Sequence, residues 1–140
     1  IISDYLFKTA VVSFFLGLVI TSIVQSSSVT TSMVIPLVGS GILTVEQIFP
    51  YVLGANVGTT LTAILAALSL QSDYGLKIAL VHLTFNLAGT LVFYPLRRIP
   101  ISLAEKMGEL VYEKRRIAGI YVIVVFYIIP IIYLVAKGVM

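Results

Sequence analysis

Long apolar stretches dominate the chain, and two short clusters of uncharged polar residues interrupt them. Residues 5–24, 76–96 and 117–136 are each nearly continuous apolar runs, of about the 20 residues an α-helix needs to cross a bilayer core. The first run ends in Gln25-Ser26-Ser27-Ser28-Val29-Thr30-Thr31-Ser32, with seven hydrogen-bonding side chains. A second cluster follows as Gly54-Ala55-Asn56-Val57-Gly58-Thr59-Thr60. No charged residue lies between Lys8 and Glu46, or between Glu46 and Asp73. Both clusters therefore sit at membrane depth, where an unsatisfied polar group costs several kcal/mol.

This pattern predicts an all-α integral membrane protein in which 1–140 form a single transmembrane repeat. Asp4 can cap a helix over 5–24, and 29–40 can form a second arm ended by Gly39 and Gly41. At 1.5 Å per residue that arm reaches only about 18 Å, short of the ~30 Å core. Residues 5–42 therefore read as a re-entrant helical hairpin with a polar apex. Thr44, followed by Glu46 and Gln47, starts the next element. Residues 46–72 read as a discontinuous transmembrane helix, broken at Gly54–Gly58. Two further transmembrane helices are expected at 76–96 and 117–136, the latter kinked at Pro130. Between them, Leu103, Met107, Leu110 and Val111 share one helical face, so 101–114 suits an interfacial amphipathic helix or, equally, a solvated loop helix.

Composition agrees with a membrane protein. The chain is 59% hydrophobic and 11% charged, with a mean hydropathy of +1.10, where a soluble domain is about a quarter charged. The first run is too long, and wrongly flanked, for a cleaved signal peptide. Without cysteine there is no disulfide framework, thiolate metal site or cysteine nucleophile. Six of the nine basic residues (Arg97, Arg98, Lys106, Lys114, Arg115, Arg116) lie in one connection. Basic loops stay inside, so 97–116 is expected to be cytoplasmic in a multi-pass protein of the inner (plasma) membrane. Both hairpin ends then lie inside and Met140 outside. Topology accounts for these charges, which leaves no case for nucleic-acid binding.

The interruptions carry the candidate chemistry. Helix N-termini near Ser28 and Thr59 would attract an anion, and helix C-termini near Val24 and Leu53 would offer carbonyls to Na⁺. Discontinuous helices meeting at mid-depth are typical of secondary transporters with inverted repeats. Neither cluster holds Lys, Arg or His, so co-bound cations are the natural counter-charge for an anion. Hydroxyl and amide oxygens suit hard cations and not soft transition metals. Packing readings stand beside these. Gly54 and Gly58 form a GxxxG pair, and Ser and Thr can bond back to helical carbonyls. His82 and Asn86, one turn apart, favour interhelical hydrogen bonding over a proton relay. Most of the eight tyrosines (Tyr5, Tyr51, Tyr74, Tyr94, Tyr112, Tyr121, Tyr127, Tyr133) lie near predicted span ends and read as interfacial anchors and not as ligands. No nucleophile–base constellation or metal cluster suggests an enzyme.

Gln25-Ser26-Ser27-Ser28 followed by Gly54-Ala55-Asn56-Val57-Gly58-Thr59-Thr60 resembles the type II sodium-dependent inorganic phosphate cotransporter family. Val81-His82-Leu83-Thr84-Phe85-Asn86 and Tyr94-Pro95-Leu96-Arg97-Arg98-Ile99-Pro100 extend the likeness. The family carries two inverted repeats, and the chain is most similar to the second, C-terminal one. The resemblance implies half of a secondary active transporter that couples Na⁺ entry to phosphate uptake by alternating access. Phosphate would be held by Gln25, Ser26, Ser27, Ser28, Asn56 and Gly58. Sodium, the co-transported ion, would be held by Gln25, Ser28, Thr31, Asn56, Thr59 and Thr60, with no organic cofactor. Expected partners are membrane lipid and either the N-terminal repeat or a second copy as a homodimer. Absence of the cysteine-bearing loop of animal members points to a bacterial origin. A symporter of another oxyanion or a dicarboxylate, or a non-transporting helix-packing module, remains an alternative on the residues alone.

Overall fold

The computed structural model describes residues 5–138, so the expected cap Asp4 and the chain end at Met140 lie outside the described residues. These residues form helices α1 (Ala10–Val24), α2 (Ser27–Gly39), α3 (Val45–Ser69), α4 (Asp73–Phe93), α5 (Arg98–Glu113) and α6 (Arg116–Ala136), with no strand among them. By length and composition, α3, α4 and α6 can cross a membrane, whereas α1 and α2 are shorter apolar helices. The chain divides into two compact units, Ile1–Ile101 and Ser102–Met140.

In the first unit, local sequence explains where each helix starts. The Thr9, Ser26 and Ser72 side chains accept from the backbone N–H groups of Val12, Val29 and Gly75. Thr44 forms a full capping box: its hydroxyl accepts from Gln47 N at 3.3 Å and its N–H donates to Gln47 Oε1 at 2.9 Å. Each such cap satisfies donors that the first turn leaves orphaned. The 15 residues of α1 and 13 of α2 give arms of only about 20 Å. They are joined through Gln25, which adopts a left-handed conformation (φ 62°, ψ 20°), so the hairpin turns within two residues.

The main departure from expectation is α3. It runs unbroken for 25 residues through Gly54–Gly58, so the discontinuous span predicted there is a continuous helix. The glycines serve close packing instead. A Cβ at Gly54 would collide with the Phe14 carbonyl, one at Gly17 with the Tyr51 carbonyl, and one at Gly58 with the Leu18 carbonyl and the Thr21 side chain. The stripe Ser13, Gly17, Thr21 on α1 thus lies directly against Tyr51, Gly54, Ala55 and Gly58 on α3, all of them buried. Lipid tails are as apolar as leucine, so such helices are held by van der Waals contact and not by a hydrophobic drive.

The core sits at one end of this seam, where Phe7, Val34, Leu43 and Tyr51 are buried together with Leu16, Ile20, Leu37 and Ile48 around them. Tyr51 is therefore not an interfacial anchor: its ring lies 5.7 Å from that of Phe7, and its hydroxyl donates to the Thr30 carbonyl at 3.1 Å, tying α3 to α2. Against α3, α4 contributes the Asn86 amide, which donates to the Asn56 carbonyl at 3.0 Å. Of the pair His82 and Asn86, it is Asn86 that makes the expected interhelical bond.

In the second unit, α6 is exposed along its apolar length. Residues Val124–Ile128 form a π-helical turn, in which the Ile129 N–H reaches back five residues to the Val124 carbonyl. Pro130 follows at once, and its ring and missing N–H forbid a regular α-helical bond to Phe126.

Candidate functional site

The hairpin turn and the C-terminal half of α3 meet in one groove of about 500 Å³, lined by both polar and apolar side chains. Gln25 forms one wall, and Thr59, Thr62, Ala66 and Ser69 form another. His82 of α4 lines the groove as well. The spacing 59, 62, 66, 69 explains the second wall, because positions three and four apart share a helical face. Each polar side chain on it has a local partner: Thr59 Oγ1 donates to the Ala55 carbonyl (3.2 Å), Thr62 Oγ1 to the Thr59 carbonyl (2.7 Å) and Ser69 Oγ to the Leu65 carbonyl (2.9 Å). Their oxygen lone pairs remain available to a cation.

Beside Gln25 begins α2. Ser26 is its cap: its hydroxyl accepts from Val29 N–H at 3.4 Å, and its carbonyl accepts from Thr30 N–H at 3.1 Å and Thr30 Oγ1 at 2.8 Å. The first N–H groups of α2, at Ser27 and Ser28, are among those a helix leaves without internal partners. They carry the positive end of the helix dipole. On the other side of the turn, α1 closes with Gln25 N–H donating to the Thr21 carbonyl at 2.6 Å, and its final carbonyls supply the negative end. The apex thus offers donors for an anion and acceptors for a cation within a few residues. Because α3 is continuous, the second N-terminus expected near Thr59 and the C-terminus expected near Leu53 are absent from this arrangement.

The predicted site residues do not all converge. Gln25 and Thr59 share the groove. Ser26 caps α2, and Ser27 is half-buried in its first turn. Ser28 is exposed in a separate recess with Ser32 and Met33, while Thr31 is half-buried on α2. Asn56 is exposed in a third, mainly apolar recess with Asn86 and Phe85. Gly58 is covered by Leu18 and Thr21 of α1, and Thr60 is fully buried with its hydroxyl donating to the Val57 carbonyl at 2.6 Å. Conversely, Thr62, Ser69 and His82 enter the groove although the polar clusters did not single them out. For Thr62 and Ser69 the signal is the small and polar stripe along α3, whereas His82 comes from α4 and has no such signal.

Residues 2–111 match the family described as Na+/Pi-cotransporter. The chain is 42% identical over 120 residues to sodium-dependent phosphate transport protein 2C of Rattus norvegicus, covering 82% of the chain and 20% of that protein. It is 43% identical over 128 residues to protein 2B of Homo sapiens (88% of the chain, 19% of that protein). With protein 2A of Oryctolagus cuniculus the identity is 46% over 121 residues (81% and 18%). These relatives are named for transport, not for catalysis, and the chain spans about a fifth of their length. No solved structure matches the chain. The matched residues and these identities lead to one conclusion, that the chain belongs to the Na+/Pi-cotransporter family.

Proposed function

We propose that the chain is one half of a secondary active transporter that couples Na⁺ entry to uptake of inorganic phosphate across the inner (plasma) membrane. The observation that carries this reading is the groove in which the hairpin apex at Gln25 faces Thr59 and Thr62. Phosphate binds with its oxygens toward the Gln25 amide and the N–H groups at Ser27 and Ser28. Sodium is held by carbonyls at the end of α1 and by the Thr59 and Thr62 hydroxyls. The side chains of Ser28, Thr31 and Asn56 lie outside the groove and serve the surface that a second repeat closes. Gly58 and Thr60 act through packing. A groove with one helix N-terminus and no Lys or Arg leaves a multivalent anion under-neutralised, so Na⁺ is required for phosphate to bind.

The hairpin α1–α2 enters and leaves on the cytoplasmic side, which also holds 97–116. Its arms are too short to span, which supports a position for Gln25 near mid-membrane. A second inverted repeat, or a second copy of the chain, supplies the other half of the site.

The test is uptake of radiolabelled phosphate into proteoliposomes of the protein containing this chain, with and without an inward Na⁺ gradient. Uptake should require the gradient and resist competition by excess sulfate or succinate. Equal uptake in K⁺ would remove the coupling mechanism, and competition by succinate would reassign the substrate. Single cysteines at Ser26 or Ser27 of this cysteine-free chain, with any cysteine elsewhere in the protein replaced, should react with small polar thiol reagents and be protected by phosphate with Na⁺. One at Leu18 should stay inert.

A further inference from the structure

A second site lies at the opposite end of the first unit, where α1 and α3 begin and α4 finishes. Lys8, Glu46, Gln47 and Arg97 line a pocket of about 200 Å³ there. It is continuous with an almost wholly apolar groove of about 240 Å³ along α1, lined by Val11, Phe14, Phe15 and Thr90. The two share Ala10, Pro50 and Tyr94 as a common wall. At the junction the Arg97 guanidinium sits 5.1 Å from the centre of the Tyr94 ring, which steers the cation over the mouth of the pocket.

We propose that this composite cleft binds one glycerophospholipid, with its phosphodiester between Lys8 and Arg97 and one acyl chain in the groove. Charge complementarity identifies the occupant. Two cations and one carboxylate leave a single positive charge in excess, matching a singly charged phosphodiester. Glu46 and Gln47 are placed to accept from headgroup hydroxyl or amine groups. Basic pockets beside transmembrane helices recognise lipid headgroups in this manner, and aromatic residues such as Tyr94 mark the headgroup level. A free phosphate would fill the charged pocket and leave the adjoining groove empty. Selectivity must come from the headgroup, because in a bilayer any acyl chain could line an apolar groove. None of the residues at this cleft belongs to the groove at Gln25, so the assignment is independent of the transport site.

Native mass spectrometry of the detergent-extracted, delipidated protein tests this with three probes: phosphatidylglycerol, diacylglycerol and glycerol phosphate. One phosphatidylglycerol should be retained, and neither of the others at the same concentration. K8Q/R97Q should weaken retention at least tenfold, and V11W, which fills the groove, should do the same from the apolar side. Lys8, Arg97 and Val11 are exposed, so melting of the lipid-free protein should be unchanged in both variants. Retention equal to wild type in both variants would overturn the proposal. So would diacylglycerol binding as well as phosphatidylglycerol, which would mean that the headgroup is not read. Displacement of the lipid by equimolar glycerol phosphate would overturn it too, leaving a free-anion site.

Discussion

At the residue scale, Gln25 combines an unfavourable backbone with a well-placed side chain. A left-handed conformation at a non-glycine residue costs about 1 kcal/mol, and here φ is 62°. Gln25→Gly should therefore keep or raise thermal stability, by about 0.5–1 kcal/mol. Yet it should lower Na⁺-driven phosphate uptake by roughly tenfold or more, the worth of a lost hydrogen bond to a charged group. Parallel melting curves and uptake assays separate the two effects, and a variant with unchanged uptake would remove the Gln25 amide from the site. The glycines divide in the same way. Gly54→Ala drives a Cβ into the Phe14 carbonyl and should destabilise by about 1–3 kcal/mol or more. Gly89, with open space where a Cβ would stand, should gain about 0.5–1 kcal/mol on substitution by Ala. Opposite shifts in melting temperature in detergent are the expected outcome.

Among the elements, the apolar runs marked α4 and α6 to within a few residues, and Thr44 marked the start of α3, because period and capping chemistry are local properties. The Gly54–Gly58 segment was not legible in this way. Glycine serves equally to break a helix or to admit a neighbour, and only the Phe14 and Leu18 carbonyls lying over it decide which. The site shows the same limit. Gln25 and Thr59 stood out as members of polar clusters, whereas Thr62 and Ser69 lie in an apolar stretch and are revealed by the face they share. His82 could be placed in the groove only once α4 was set against α3. In α6, the π turn at Val124–Ile128 follows from Pro130. Pro130→Ala should restore the α-helical bond, so that the Ile129 amide donates to Val125 instead of Val124. Residues beyond it would rotate by about 100°, one residue's worth of helix. NMR couplings across that hydrogen bond provide the measurement, and retention of the Val124 partner would show that proline is not the cause.

For the whole molecule, the packing of α1 on α3 limits which motions remain possible. Where Gly17, Gly54 and Gly58 bring main chain against main chain, no flexible side chain is left to yield, and packed interiors switch between discrete arrangements and do not deform smoothly. The Tyr51 bond to Thr30 fastens the other arm of the hairpin to the same helix. Spin labels at the exposed positions Val19 and Leu68 should therefore report one narrow distance whether Na⁺ and phosphate are both present or both absent. A ligand-dependent second distance would mean that the seam opens. If it holds, the turn bearing Gln25 and the wall bearing Thr59 travel together as a single carriage. In the proposed transporter, cargo would then stay in an unaltered berth during transit, and the alternation of access would belong to the track along which that carriage moves.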